Sequence, residues 1–289
     1  MVAGKGGVGK TAVSTALAVL AREEGLRPLL LSVEQGGTDP GAVLGDAGHR
    51  RLTPDGALAD YLADHGLGPL SRRLAATGAI DIVATAAPGI RDLLVLGKVK
   101  QLERSGEHDV VVVDAPAAGH ALGFLAAPAT LGALVRTGPV RVQADDVLAM
   151  LGDATRCSVL LVTRPEETAV NEVVETAFLL EERVGVKLGP VVVNGLRRAD
   201  PALDVDPAEA ARALGRRLAP ADRDRLADAA ASAAAEARRH HLQLDRLADL
   251  LPLPQLLLGR LPAGGDLVGH LVGELRVALA GLDPTGGSR

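Results

Sequence analysis

Short, almost unbroken apolar runs alternate along this chain with longer stretches in which apolar residues return every three or four positions. The short runs are Pro28–Val33, Ile80–Thr85, Asp109–Asp114, Ser158–Thr163 and Pro190–Asn194, with Leu250–Leu253 as a last short candidate. Runs of that length without polar alternation read as strands covered on both faces, the signature of a parallel sheet between helices. Met1–Ala3 alone precede a glycine-rich loop, so the opening strand is expected to be very short, with a mis-assigned start codon as the alternative. Helical periodicity marks Thr11–Glu24, stopped by Gly25; Thr168–Arg183, stopped by Gly185; and Ala221–Asp249, which carries Leu242, Leu244 and Leu247 near its end. Further helical stretches fall at Gly56–Ala76, Gly89–Arg104 and Ala121–Val135. The pattern predicts an α/β fold with a mostly parallel sheet of about seven strands. It is read as one domain over 1–289, with a helical subdomain (about 45–105 and 120–155) inserted at one sheet edge. Pro201–Asp206 reads as a flexible connector.

Composition narrows the field. The 289 residues are 47% hydrophobic and 23% charged, which supports a globular chain with a large core. Lys+Arg total 31 against 36 Asp+Glu, a net charge of −5, and nothing resembles the basic footprint of a nucleic-acid binder. Cys157 is the single cysteine, which excludes a disulfide framework, a cysteine zinc site and an iron–sulfur cluster. No stretch reaches the ~20 apolar residues of a membrane span, and the expected compartment is the cytosol. Leu267–Leu282 is amphipathic, but Arg276 is its one basic residue, so it reads as a core helix and not a membrane anchor. His240 and His241 follow Arg238 and Arg239 and read as a solvated polar face.

Candidate chemistry concentrates at the start. Gly4-Lys5-Gly6-Gly7-Val8-Gly9-Lys10-Thr11 fits G-x-x-x-x-G-K-[ST] between a strand and a helix. Glycines let successive N–H groups curl into an anion nest at a helix N-terminus, where the helix dipole also favours negative charge. Lys10 is placed to reach the β- and γ-phosphates of a nucleotide, Thr11 to ligate Mg²⁺, and the nest runs on to Ala12. Asp109–Asp114 is an apolar strand ending in a carboxylate, the Walker B pattern, with Asp114 as the second Mg²⁺-holding residue.

Lys5 makes the loop K-G-G-x-G-K-T, and in this the sequence resembles the deviant-Walker-A group of P-loop ATPases. That resemblance implies a nucleotide-sandwich dimer in which Lys5 crosses to the partner's nucleotide and stabilises charge on the transferred phosphoryl group. Asp114-Ala115-Pro116-Ala117-Ala118-Gly119-His120-Ala121-Leu122 resembles the switch II sequence D-T-A-P-T-G-H-T-L of the ArsA/Get family, the arsenical pump-driving and tail-anchored-protein-targeting ATPases. Asp114, Gly119, His120 and Leu122 match, whereas Ala118 replaces a threonine and the proline sits one place early. Ala87-Pro88-Gly89-Ile90, Gly97-Lys98 and Val162-Thr163-Arg164-Pro165-Glu166-Glu167 with Glu172 are similar to family segments as well. The resemblance implies that Asn194, ending Val191-Val192-Val193-Asn194, contacts adenine, and that Pro252 in Leu251-Pro252-Leu253 belongs to a loop near the base. No guanine-reading N-K-x-D or T-K-x-D follows a strand, so ATP is expected with Mg²⁺.

Switch I departs from the family's S-T-D-P-A-H. The chain reads Leu31-Ser32-Val33-Glu34-Gln35-Gly36-Gly37-Thr38-Asp39-Pro40, which sets Glu34 on the family's water-orienting Asp and leaves Asp39 as the alternative. The catalytic set is therefore Lys5, Lys10 and Glu34. The functional expectation is a Mg²⁺-dependent, dimeric ATPase coupling its ATP state to binding or targeting of a membrane-protein client. Two alternatives stand beside it: a weakly or non-hydrolysing subunit of a heterodimer with a related ATPase, and a partitioning or septum-positioning ATPase. One cysteine cannot supply the arsenite thiolates, and there is no C-x-x-C zinc motif. A client helix would need an apolar groove, offered by Leu93–Leu96, Leu122, Phe124, Leu125, Leu131, Leu134 and Val135, whose helical spacing equally suits core packing.

Overall fold

The computed structural model describes residues 1–33, 39–64, 89–261 and 264–282. In chain order the elements are β1 (Val2–Gly4), α1 (Lys10–Glu23), β2 (Pro28–Ser32), α2 (Gly41–Gly48), β3 (His49–Arg51), α3 (Pro54–Asp64), α4 (Ile90–Arg104), β4 (Val110–Asp114), α5 (Ala118–Leu134) and α6 (Pro139–Gly152). They continue with β5 (Leu160–Thr163), α7 (Glu167–Val184), β6 (Val191–Leu196), a 3₁₀ turn (Pro201–Asp204), α8 (Pro207–Ala213), α9 (Pro220–Leu250), β7 (Gln255–Gly259) and α10 (Leu267–Ala280).

The seven strands form one sheet in the order β3-β2-β4-β1-β5-β6-β7, every pair parallel. The apolar runs are unbroken because alternate side chains serve two different cores. Leu29, Leu31, Val113, Leu161, Val191 and Val193 face one layer, where α4, α5, α6, α7 and the C-terminal part of α9 pack through Leu96, Phe124, Met150, Leu180 and Leu247. Leu30, Val112, Val162, Val192, Leu256 and Leu258 face the other, where α1 and α10 pack through Val13, Ala16, Leu20, Leu271 and Leu275. This is the α/β P-loop architecture expected from the sequence, and α10 is the core helix read from Leu267–Leu282.

Three expectations are corrected. The last strand is 255–259, not Leu250–Leu253: α9 runs on to Leu250, and the strand starts after Pro254, whose carbonyl accepts from the Val191 N–H. An unexpected edge strand, His49–Arg51, pairs with β2. The Pro201–Asp206 connector is not slack: Asp200 Oδ1 accepts from Ala202 N (2.9 Å), Asp206 Oδ1 from Ala208 N (2.8 Å), and Arg223 pairs with Asp206 at 3.2 Å. The candidate strand Ile80–Thr85 and the second half of the Gly56–Ala76 helix lie outside the described residues, and so do Ala87 and Pro88. Among the described residues no helix is long and apolar enough to cross a membrane.

Arg156, just before β5, clamps α4 through Glu103, with Nε–Oε1 3.0 Å and Nη2–Oε2 2.6 Å. The two-pronged bond holds the Glu103 carboxyl below its ordinary range, against a smaller opposing effect of burial. A depressed carboxyl contributes stability above its unfolded value and loses it as pH falls through the folded one. Replacing Glu103 by Gln is expected to cost about 1 kcal/mol at pH 7. Urea melts of the two proteins should draw together below about pH 4. A gap of constant size down to pH 3 would contradict the ion-pair account.

Candidate functional site

Because all strands run the same way, the loops after them meet at one end of the sheet, and the central β1 places its loop between those of β4 and β5. Gly4 ends β1 at φ 151° with no space for a side chain: a Cβ there would lie 2.2 Å from the Val162 carbonyl oxygen. The loop turns through Gly7 and Gly9, and Gly9, at φ 96°, is the N-cap of α1. Having no side chain, Gly9 cannot cap the first N–H groups of the helix, and the first turn carries no acidic residue. Lys10 is instead its first residue, which opposes the helix dipole. A cation and uncapped donors at the positive end of a helix form a local conflict that a bound anion resolves.

The side chains then divide the loop. The Lys10 ammonium turns back over it and donates to the Lys5 carbonyl at 3.2 Å. Thr11 Oγ1 donates to Asp114 Oδ2 at 2.7 Å, and Ser14 Oγ lies 3.4 Å from Oδ1 of the same carboxylate, which is almost fully buried at the end of β4. Two hydroxyls around one carboxylate are hard oxygen donors of the kind Mg²⁺ takes, so this group fits that ion. Lys5 points the other way: its Nζ lies 2.7 Å from Glu172 Oε1 on the second turn of α7. Switch II follows Asp114 directly, and Ala117 Cβ would sit 3.9 Å from a Cβ on Gly6.

On β6, Asn194 Nδ2 donates to the Val8 carbonyl at 2.8 Å, and a Cβ on Gly9 would come within 2.4 Å of that same nitrogen. Asn194 thus reaches the phosphate loop from 186 residues away. Beyond it, at the ends of β6 and β7, a cavity of about 790 Å³ opens between Arg197, Arg198, Gly259, Arg260 and Leu261, with His270 and Glu274 of α10 as its far wall.

Pro252 does not join this group. It precedes β7, beside the start of β6, whereas Asn194 stands opposite Leu258 near the strand's far end. The length of a five-residue strand, about 17 Å, separates it from the loop end of the sheet. Leu251-Pro252-Leu253 leads into β7, whereas a loop near the base would have to trail the strand. Glu34 lies outside the described residues. Asp39 is described, and its Oδ1 accepts from Gly41 N at 3.0 Å in the turn that starts α2. The apolar stripe offered for a client is mostly consumed by the core: Leu93, Leu96, Phe124, Leu125 and Leu131 are buried, while Leu134 is 74% exposed. Leu94 does line a small apolar cavity, about 150 Å³, with Leu58, Tyr61, Ile90 and Val140. A 20-residue helix about 30 Å long and 10 Å wide occupies roughly 2,400 Å³, so this cavity does not hold one.

Sequence reasoning missed three contributors. Ser14 carries no motif position. His49 Nε2 lies 3.0 Å from Ser32 Oγ at the end of β2, and burial, partly offset by Asp39 and Asp114, pushes its pKa down and keeps it neutral. His240 is not solvated: it is buried, its pKa is lowered by that burial, and its Nδ1 accepts from Arg197 N at 3.0 Å. Only the heptad-like run Ala237, His240, Leu244, Leu247 on α9 pointed to its inward face.

The sequence matches the family described as anion-transporting ATPase over residues 1–55 and 70–141. ATPase BagA of Mycobacterium tuberculosis is 30% identical over 220 residues, 67% of this chain and 64% of that one. A Halobacterium salinarum protein named for an arsenical pump-driving ATPase is 28% identical over 234 residues, 68% of this chain and 35% of that one. ATPase GET3 of Chaetomium globosum is 30% identical over 149 residues, 45% of this chain and 42% of that one. The matched part of the chain thus spans just under two thirds of its mycobacterial relative and less than half of the other two. The matched residues include the phosphate loop, the strand ending at Asp114 and the segment after it, and over them the chain matches the anion-transporting ATPase family, whose relatives here include ArsA- and Get3-type ATPases.

Proposed function

We propose that the chain binds ATP with Mg²⁺ in the loop between β1 and α1 and hydrolyses it as a dimer. The observation that carries this reading is the 2.7 Å contact between Thr11 and Asp114, which brings the end of the phosphate loop onto the carboxylate ending β4. Lys10 and the first N–H groups of α1 neutralise and orient the phosphates. Thr11 and Asp114 would hold the Mg²⁺, which would supply positive charge to the phosphates. Asn194, its amide nitrogen engaged by Val8, offers Oδ1 to accept from the amino group of adenine, and the neighbouring cavity receives base and ribose. Lys5 serves the nucleotide of a second protomer.

Glu34 orients the attacking water, because the alternative, Asp39, already spends an oxygen on starting α2. Steady-state phosphate release should rise in specific activity with protein concentration as the dimer forms. Exchanging Glu34 for Gln should lower turnover at least about a hundredfold with ATP affinity unchanged within a factor of two. Full turnover in that variant would move the role elsewhere. ATP binding without turnover at any concentration, in the unaltered chain, would instead identify the non-hydrolysing subunit of a heterodimer.

A further inference from the structure

Lys5 and Lys10 belong to one loop, yet the fold sends them apart. Lys10 folds over the cradle onto the Lys5 carbonyl, while the Lys5 side chain leaves the cradle and meets Glu172 at 2.7 Å. The separation is built into the sheet: β5 is the neighbour of β1, and α7 starts four residues after β5, so the second turn of α7 stands beside the residue following Gly4. Gly4 cannot yield, because Val162 leaves no room there, and the backbone direction at Lys5 is therefore set. Both members of the pair are about two fifths exposed. They are accessible to an arriving partner and weakly enough bound to be exchanged.

We propose that Glu172 is the positioning residue of Lys5: it holds the ammonium in its own protomer until a partner's nucleotide phosphates compete it away. This rests on the reading above that Lys5 acts on a second protomer's nucleotide. Each protomer must give up its Lys5–Glu172 pair before Lys5 can reach across, so Glu172 opposes the ATP-bound dimer and delays hydrolysis until two loaded chains meet. An exposed pair of this kind shifts an equilibrium by about two- to fivefold. A symmetric dimer breaks two pairs, so its dissociation constant is raised by about fourfold to twenty-five-fold.

The test is sedimentation of the full chain with Mg²⁺ and a slowly hydrolysed ATP analogue at low salt, alongside phosphate release against protein concentration. E172Q and E172A should tighten the dimer and move half-maximal activity to lower protein concentration, with maximal turnover unchanged. In 0.5 M salt the difference from the unaltered protein should shrink, because the pair is screened. In a K5A background Glu172 should have no effect, which separates this role from simple removal of a negative charge near the phosphates. Tightening that persists in K5A, or weaker dimers in E172A, overturns the proposal. If K5A alone dimerises and hydrolyses normally, the trans role of Lys5 fails first, and the role of Glu172 falls with it.

Discussion

Lys10→Ala is expected to weaken ATP binding by at least about a hundredfold in calorimetric titrations with Mg²⁺. An ammonium at the positive end of α1 replaced by a methyl group removes charge-assisted hydrogen bonds to the phosphates, each contributing about 1.5–3 kcal/mol. Two such bonds lost amount to two or more orders of magnitude in affinity. The fold should survive. The bond from Lys10 to the Lys5 carbonyl, a neutral acceptor at 3.2 Å, contributes about 1 kcal/mol. A fall in melting temperature of no more than about 4 °C is therefore expected. Affinity within tenfold of the unaltered protein would mean that the phosphates are held by the backbone nest alone. Melting far below that limit would mean that the lysine is structural.

The second large effect belongs to Gly4→Ala. Gly4 pairs with Val162 in the ladder between β1 and β5, and the new Cβ would lie 2.2 Å from the Val162 oxygen and 3.2 Å from its carbonyl carbon. That neighbour is strand backbone and cannot rotate aside. Its φ of 151° adds a conformation that side chains rarely adopt. Strain and overpacking together cost about 3–5 kcal/mol, a large share of the 5–15 kcal/mol typical of a folded domain. The melting temperature should drop by about 10 °C or more, with ATP binding lost as β1 shifts. Gly7→Ala supplies the comparison: its φ is 84°, but nothing lies within 4 Å of the added carbon, so the loss should be close to 1 kcal/mol. Equal losses in the two variants would defeat the backbone-collision account.

The contrast between these positions reflects what can be read from a sequence. The phosphate loop was legible because its chemistry needs consecutive residues, and Asp114 because a carboxylate ending an apolar strand is conspicuous. α1, α7 and α10 were legible from their periodicity, α1 and α7 also from the glycines that stop them. β3 was not, because His49, Arg50 and Arg51 form a polar edge strand without an apolar signal. β7 was misplaced because Leu250–Leu253 and Gln255–Gly259 carry the same kind of residue, and Pro252 within the first and Pro254 between them decide which can pair. The partners of Lys5 and His240 lie 167 and 43 positions away, a juxtaposition created only by strand order. The stripes on α4 and α5 were visible as stripes, but amphipathicity does not say whether the covering surface is the protein's own.

The two cores also differ in thickness. Among the described residues, one face of the sheet is covered mainly by α1 and α10, with Leu44 of α2. Arg276 ties α10 to the far end of α1 through Glu23 and Glu24. The other face carries α4, α5, α6, α7 and the end of α9, including the helix that follows switch II. Switch II leads straight into α5 in that thicker layer, while Asp114 at its start is also held directly by Thr11 and Ser14 of α1. On the proposed reading, a change at switch II on ATP binding is therefore felt on both faces of the sheet, through α5 on one and through Thr11 and Ser14 of α1 on the other.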